Sequence, residues 1–316
     1  MLTCFQIESG KLGPAVDNAG PIWLFIGPTD EEKARLIGPE FNLDAHSLNS
    51  TLDPDELPRV ELESDHLVVI FKYPKRFLLH DKYDLGVQSL GLFLYSNRLV
   101  IVSLEDDQPA FEGRPFTRID SLQTLFLRII SKCIQHFYSH LKAINELANE
   151  LEPKIMSSME NRNLLLMFTI EKGLVYYVNA MAANGRTIDR LRTNAKNAGT
   201  GGLSPEQLEY VDDLSIENAQ CHEQAQIYAN VLAGLMDARA SIVNNNLNVL
   251  IKRLTILSLV FLPLNVVAGI GGMSEYTRFT EPYMPWWIAY PIFSVGLGAI
   301  GWLTYQVLKL FEKRKS

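Results

Sequence analysis

The sequence predicts an α+β membrane protein: an N-terminal α/β domain, a long stalk helix continuous with a first membrane span, and a second span near the C-terminus. Three observations carry this. Two uncharged apolar stretches, Leu254–Met273 and Trp286–Leu308, each have about the 20 residues an α-helix needs to cross a hydrocarbon core of ~30 Å. Short apolar segments rich in β-branched and aromatic residues fill the chain up to about residue 115. From Thr117 the apolar spacing changes to a helical period.

The β-type segments are Pro21–Phe25, Leu67–Lys72, Leu90–Tyr95 and Leu99–Leu104, bounded by turn residues. Between the first two, Thr29 is placed to cap a helix whose first turn carries Asp30, Glu31 and Glu32. Ser96-Asn97-Arg98 joins the last two as a hairpin turn.

A first long helix is expected over 117–152, with Leu122, Leu125, Ile129, Ile130, Ile134, Phe137, Leu141 and Ile144 fitting its period. A second is expected over 160–197, stopped by Asn197-Ala198-Gly199-Thr200-Gly201-Gly202. Ser204-Pro205-Glu206 starts a third, with Ser204 as N-cap and Pro at the first helical position. No strong breaker follows until Pro263. A helix from 205 to about 271 would be ~100 Å long, a membrane span fused to a stalk.

Composition narrows the partners. The net charge of −7, with no basic stripe, argues against nucleic acid. Three widely spaced cysteines, Cys4, Cys133 and Cys221, make no disulfide framework and suit a reducing compartment. The N-terminal residues lack a basic region followed by an apolar stretch, so no signal peptide is expected. Lys252 and Arg253 precede the first span, and Lys309, Lys313, Arg314 and Lys315 follow the second, whereas the intervening turn sets Arg278 against Glu275 and Glu281. The positive-inside rule then puts both termini in the cytoplasm, with the chain in a plasma (inner) membrane. The expected boundaries are 1–116 for the cytoplasmic α/β domain, 117–253 for the helical stalk region, 254–273 for the first span, 274–285 for the outer loop, 286–308 for the second span and 309–316 for a basic tail.

The third helix carries a polar file. In alternating steps of four and three from Asp237 come Ser241, Asn244, Asn248, Ile251, Thr255, Ser258, Leu262, Asn265 and Gly269. This is an a/d seam of period 3.5. Seven of its ten positions are polar, one is Gly and two are aliphatic. Helices meeting through such a seam surround a narrow wet path, constricted at Ile251 and Leu262. Isolated polar residues would fit a dry bundle with interhelical hydrogen bonds; an unbroken file fits a pore. One copy cannot enclose a path, so a homo-oligomer is expected, most simply a cyclic ring. The seam offers hydroxyls, carboxamides and one carboxylate, Asp237, and no Lys or Arg, which suits hard cations or their hydration shells. Glu275 and Glu281 in the outer turn would add a ring of acids at the mouth.

Other groups stand apart from the seam. Cys133, His136 and His140 fall at i, i+3 and i+7 on one helix face, a soft-ligand trio lacking the fourth ligand of a zinc site. Cys221-His222 point to different faces, and His46, His66 and His80 are isolated. No nucleotide loop, nucleophile triad or carboxylate pair stands out, so no enzyme and no bound cofactor are expected.

Leu254-Thr255, Leu262-Pro263-Leu264 and Gly269-Ile270-Gly271-Gly272-Met273-Ser274, then Met284-Pro285 and an aromatic second span, resemble the CorA/ZntB family of two-span divalent cation transporters. So do Ile22-Trp23-Leu24, Pro28-Thr29-Asp30-Glu31-Glu32, Leu52-Asp53 and Arg59-Val60-Glu61 near the N-terminus. The resemblance implies a homopentameric funnel in the lipid bilayer, a stalk helix that becomes the pore, and a divalent cation as cargo. It also implies a regulatory acid at Asp237 and a selectivity loop at Gly272, Met273 and Ser274. There the chain departs from the family: Gly-Met-Asn reads Gly272-Met273-Ser274, and Gly271 replaces the preceding aromatic. Ser274 has a shorter arm than Asn for holding a hydrated Mg2+. The ZntB branch also lacks a strict Gly-Met-Asn, so Zn2+, possible with proton coupling, is the first expectation for cargo; Mg2+, Co2+ or Ni2+, or a non-conducting scaffold, are the alternatives.

Overall fold

The computed structural model describes residues 2–8, 10–15, 20–75, 85–105, 116, 118–157, 161–197, 203–272 and 278–315. They form two compact units, Met1–Met236 and Asp237–Ser316.

The first unit is built on a seven-stranded sheet. Its strands are β1 (Leu2–Glu8), β2 (Lys11–Pro14), β3 (Ile22–Ile26), β4 (Arg59–Leu62), β5 (His66–Pro74), β6 (Val87–Tyr95) and β7 (Leu99–Ser103), in the order β2-β1-β3-β7-β6-β5-β4. Every neighbouring pair is antiparallel except β3 and β7, which run parallel. The expected hairpin turn closes with the Tyr95 N–H on the Arg98 carbonyl at 2.9 Å.

Side chains alternate between the two faces of a sheet, and both faces here are apolar. One carries Phe25, Val68, Phe93, Val100 and Val102 against Leu36 of α1 (Asp30–Ile37) and Leu48 of α2 (Ala45–Thr51). The other carries Leu24, Val69, Phe71, Leu92 and Ile101 against α3 (Leu122–Ser157) and α4 (Asn161–Asn197). Sheet and long helices share one core, so it continues across residue 116. Burial of each large side chain contributes about 1.5–3 kcal/mol.

The helix starts follow local chemistry. At α1, the Glu32 N–H donates to Thr29 Oγ1 and the Thr29 N–H donates back to Glu32, a reciprocal capping box. At α5 (Pro205–Gly271), Ser204 and Gln207 make the same exchange at 3.2 and 2.9 Å. That helix is 67 residues long and contains Pro263. It starts in the first unit, where Val211, Leu214 and Cys221 join the core, and ends in the second.

Among the described residues, three helices are long and apolar enough to span a bilayer: α4, α5 and α6 (Trp286–Lys315). They differ in where the apolar surface goes. Of the most apolar window, 39% is buried within the chain in α4, none in α5 and 6% in α6. The α4 residues Ile170, Leu174, Tyr177, Met181 and Ile188 enter the core, so that helix needs no lipid. The windows in α5 and α6 face outward. The sequence places its two expected spans on these same two helices.

Within the second unit, the half-buried positions of the α5 span are Ile256, Val260, Pro263, Leu264 and Val267. Those on α6 are Ile288, Phe293, Leu297, Thr304, Gln306 and Leu308, with Ala289 and Gly301 buried. The faces meet closely: a Cβ added to Gly301 would lie 3.2 Å from Leu264 Cδ1.

Candidate ion pathway

All ten seam positions, Asp237, Ser241, Asn244, Asn248, Ile251, Thr255, Ser258, Leu262, Asn265 and Gly269, are exposed in the single chain, and all lie in the second unit. An α-helix turns about 100° per residue. By that arithmetic, the seam's span positions are centred about 160° from the half-buried stripe Ile256, Val260, Pro263, Leu264 and Val267. Thr255, Ser258 and Asn265 are the only polar side chains between Leu254 and Gly272. All three sit on the face turned away from the stripe. The flanks are exposed too, but apolar, through Leu254, Leu257 and Phe261.

A polar side chain facing lipid is costly, so such groups point into protein or water. Thr255 shows what the file can offer. Its Oγ1 donates to the Ile251 carbonyl at 2.8 Å. The hydroxyl proton is thus committed and its remaining lone pairs accept. Pro263 has no N–H, so the Leu259 carbonyl loses its usual helical donor and adds an oxygen in the same segment.

The turn between α5 and α6 is only partly described. Gly272 is exposed, with its N–H on the Ala268 carbonyl at 2.9 Å. Met273, Ser274 and Glu275 lie outside the described residues. Glu281 is exposed beside a turn in which the Tyr283 N–H donates to the Thr280 carbonyl at 2.9 Å. Phe279, Tyr283, Trp286 and Trp287 are exposed around it, the composition of a membrane–water interface.

The soft-ligand trio does not assemble. Cys133 is fully buried in the core, where burial pushes its thiol far up and disfavours thiolate. The His140 Nδ1 is 2.8 Å from the Tyr177 hydroxyl, and burial followed by the nearby His136 push the His140 ring down to about 3. His136 meets His140 edge-on, with ring centroids 4.5 Å apart. Among the described residues, no three His, Cys, Asp or Glu side chains are grouped to hold a metal ion. The i, i+3, i+7 spacing marks the core-facing side of α3 instead. The sequence reading also missed the stripe that α6 covers. Of the glycines in the second span, Gly301 alone approaches that stripe, and Gly296 and Gly298 have nothing within 4 Å of an added Cβ.

Comparison with known proteins follows the same outline. A family model described as CorA-like Mg2+ transporter protein matches residues 18–305 of the 316. A cobalt/magnesium transport protein CorA of Methanocaldococcus jannaschii is 24% identical over 286 residues, covering 87% of this chain and 86% of that one. The complete structure of the CorA magnesium transporter from the same organism superposes with a TM-score of 0.74 at 19% identity, over 98% of this chain and 96% of that one. The cytoplasmic domain of ZntB from Vibrio parahaemolyticus superposes with a TM-score of 0.57 at 12% identity, over 76% of this chain and 97% of that one.

Proposed function

The chain belongs to the CorA-like family of divalent cation transporters, and from that premise we propose that a ring of five copies passes a partly hydrated divalent cation along the α5 seam. One observation carries the reading. The three polar side chains of the span share the exposed face opposite the α6 stripe, where copies around an axis would turn them inward. Ile251 and Leu262 are the hydrophobic constrictions of that path, and Asp237 is its acidic cytoplasmic end. The seam supplies oxygen alone, with no imidazole or thiolate. Oxygen donors at water-mediated distance suit Mg2+ and Co2+, the ions in the name of the M. jannaschii relative. We take these as the cargo the pathway favours.

Zn2+ is the second reading, favoured by Ser274 standing where magnesium members carry Asn. Zinc prefers nitrogen and sulfur ligands, so it too would pass with its water shell. The chain works as a transporter and makes no covalent change to the ion.

The test is flux into liposomes holding the purified protein, with Mg2+, Co2+ or Zn2+ outside, with and without a pH gradient. Flux of at least one ion is expected, and Asn248→Leu and Asn265→Leu should each stop it. Ser274→Asn should raise Mg2+ flux relative to Zn2+. No flux of any ion would overturn transport; normal flux in both Leu variants would overturn the seam as its path.

A further inference from the structure

In the first unit, a cleft of about 460 Å³ opens between the β4–β5 turn, the end of β6, the last turn of α4 and Leu203, two residues ahead of α5. Small-molecule sites typically measure ~300–1,000 Å³, with mostly apolar walls and a few placed polar groups. Leu67, Leu94, Leu191 and Leu203 form such walls here.

The polar group is His66. Its side chain is only 3% exposed, yet it lines the cleft. Its ring stacks on Tyr95, its partner across the β5–β6 ladder, with centroids 4.5 Å apart and planes 22° apart. Nδ1 lies 2.7 Å from Asp65 Oδ1, and this contact holds the Asp65 carboxyl below its usual range. An ionised carboxylate only accepts, so this contact favours the tautomer with its proton on Nδ1 and its lone pair on Nε2. Among the described residues, Nε2 has no hydrogen-bond partner. An oriented ring, almost wholly enclosed, thus lines an apolar cleft with its second nitrogen open to it.

Charge selects the ligand. The described lining includes Glu63 and Asp65 and no Lys or Arg. An anion would meet two carboxylates without a counter-charge, whereas an ammonium would donate to Nε2 and sit beside both acids.

We propose that this cleft is a binding site for a small organic ammonium compound, its apolar body on Leu67, Leu94, Leu191 and Leu203 and its charged head on His66 Nε2 between Glu63 and Asp65. The site is separate from the seam and stands whether or not the seam conducts.

The experiment is calorimetric titration of the full chain in detergent with 2-phenylethylammonium and, in parallel, 3-phenylpropanoate, two probes with the same body and opposite charge. Saturable binding of the ammonium alone, one per chain, is expected. His66→Phe keeps the stack on Tyr95 and removes Nε2, and should weaken binding about tenfold or more. Glu63→Gln, at an exposed position, should weaken it less and serves as the second variant if His66→Phe misfolds. No ammonium binding, equal binding of both probes, or unchanged affinity in the folded variants would each overturn the proposal.

Discussion

The carboxamide of Asn184 holds both backbone groups of Lys72: the Lys72 N–H donates to Asn184 Oδ1 and Asn184 Nδ2 donates to the Lys72 carbonyl, both at 2.9 Å. β5 outruns its neighbour β4, whose last partner in this direction is Arg59 against Ile70. Beyond that point, among the described residues, no strand bonds this edge of β5. Asn184 of α4, fully buried, takes the strand's place. Asn184→Ala should strand a buried N–H and a buried C=O and cost about 2–4 kcal/mol. Thermal unfolding of the purified variant checks this, and an unchanged midpoint would mean that the pairing adds nothing.

His140 gives a second prediction, with a sign. In the unfolded chain the ring protonates near its ordinary 6.5; in the folded chain, burial and His136 delay this to about 3. Between those values the unfolded state binds more protons, so stability falls as pH drops from about 6.5 towards 3 and is level in this respect above 6.5. His140→Gln should flatten that acid limb in a series of melts. If transport proves to be proton-coupled, the same variant should leave the coupling intact, because His140 stays neutral throughout the working range.

Gly301 gives a third. A valine there would drive its branched side chain into Leu264, which already stands 3.2 Å from the place of a Cβ. Gly301→Val should loosen α6 from α5 and lower the yield of folded protein, while Gly298→Ala, where nothing lies within 4 Å of an added Cβ, should not. Size-exclusion profiles of the two variants in one detergent make the comparison.

Legibility in the sequence followed the range of the interactions. The seam could be read because a helix prints its faces locally: Thr255, Ser258 and Asn265 announce a shared face by spacing alone. The capping box of Thr29 and Glu32 is equally local. The strands β1, β2 and β4 were missed because they are sheet-edge elements or their neighbours, with few buried residues and no clean alternation. The helix α2 was missed because Ala45–Thr51 is poor in strong helix formers and is held by its cap, Asp44, and by burial of Leu48. His66 looked isolated because its partner Tyr95 is 29 positions away along the chain and adjacent only through the β5–β6 register. The trio on α3 failed for the opposite reason. Spacing shows that three side chains share a face, and cannot show whether that face meets water or the core.

The unbroken run of α5 from Asn244 to Asn265 makes the pathway a matter of angular phase. The helix is continuous between the part of the file ahead of the apolar span and the part within it, so the rotation of one dictates that of the other. One residue inserted after Ile251 would turn the two halves about 100° out of phase, whereas seven inserted residues would restore them to within about 20°. Cation flux should vanish in the first case and return in the second, although both insertions leave every seam side chain present. Conduction would then depend on a count of residues as much as on their identity.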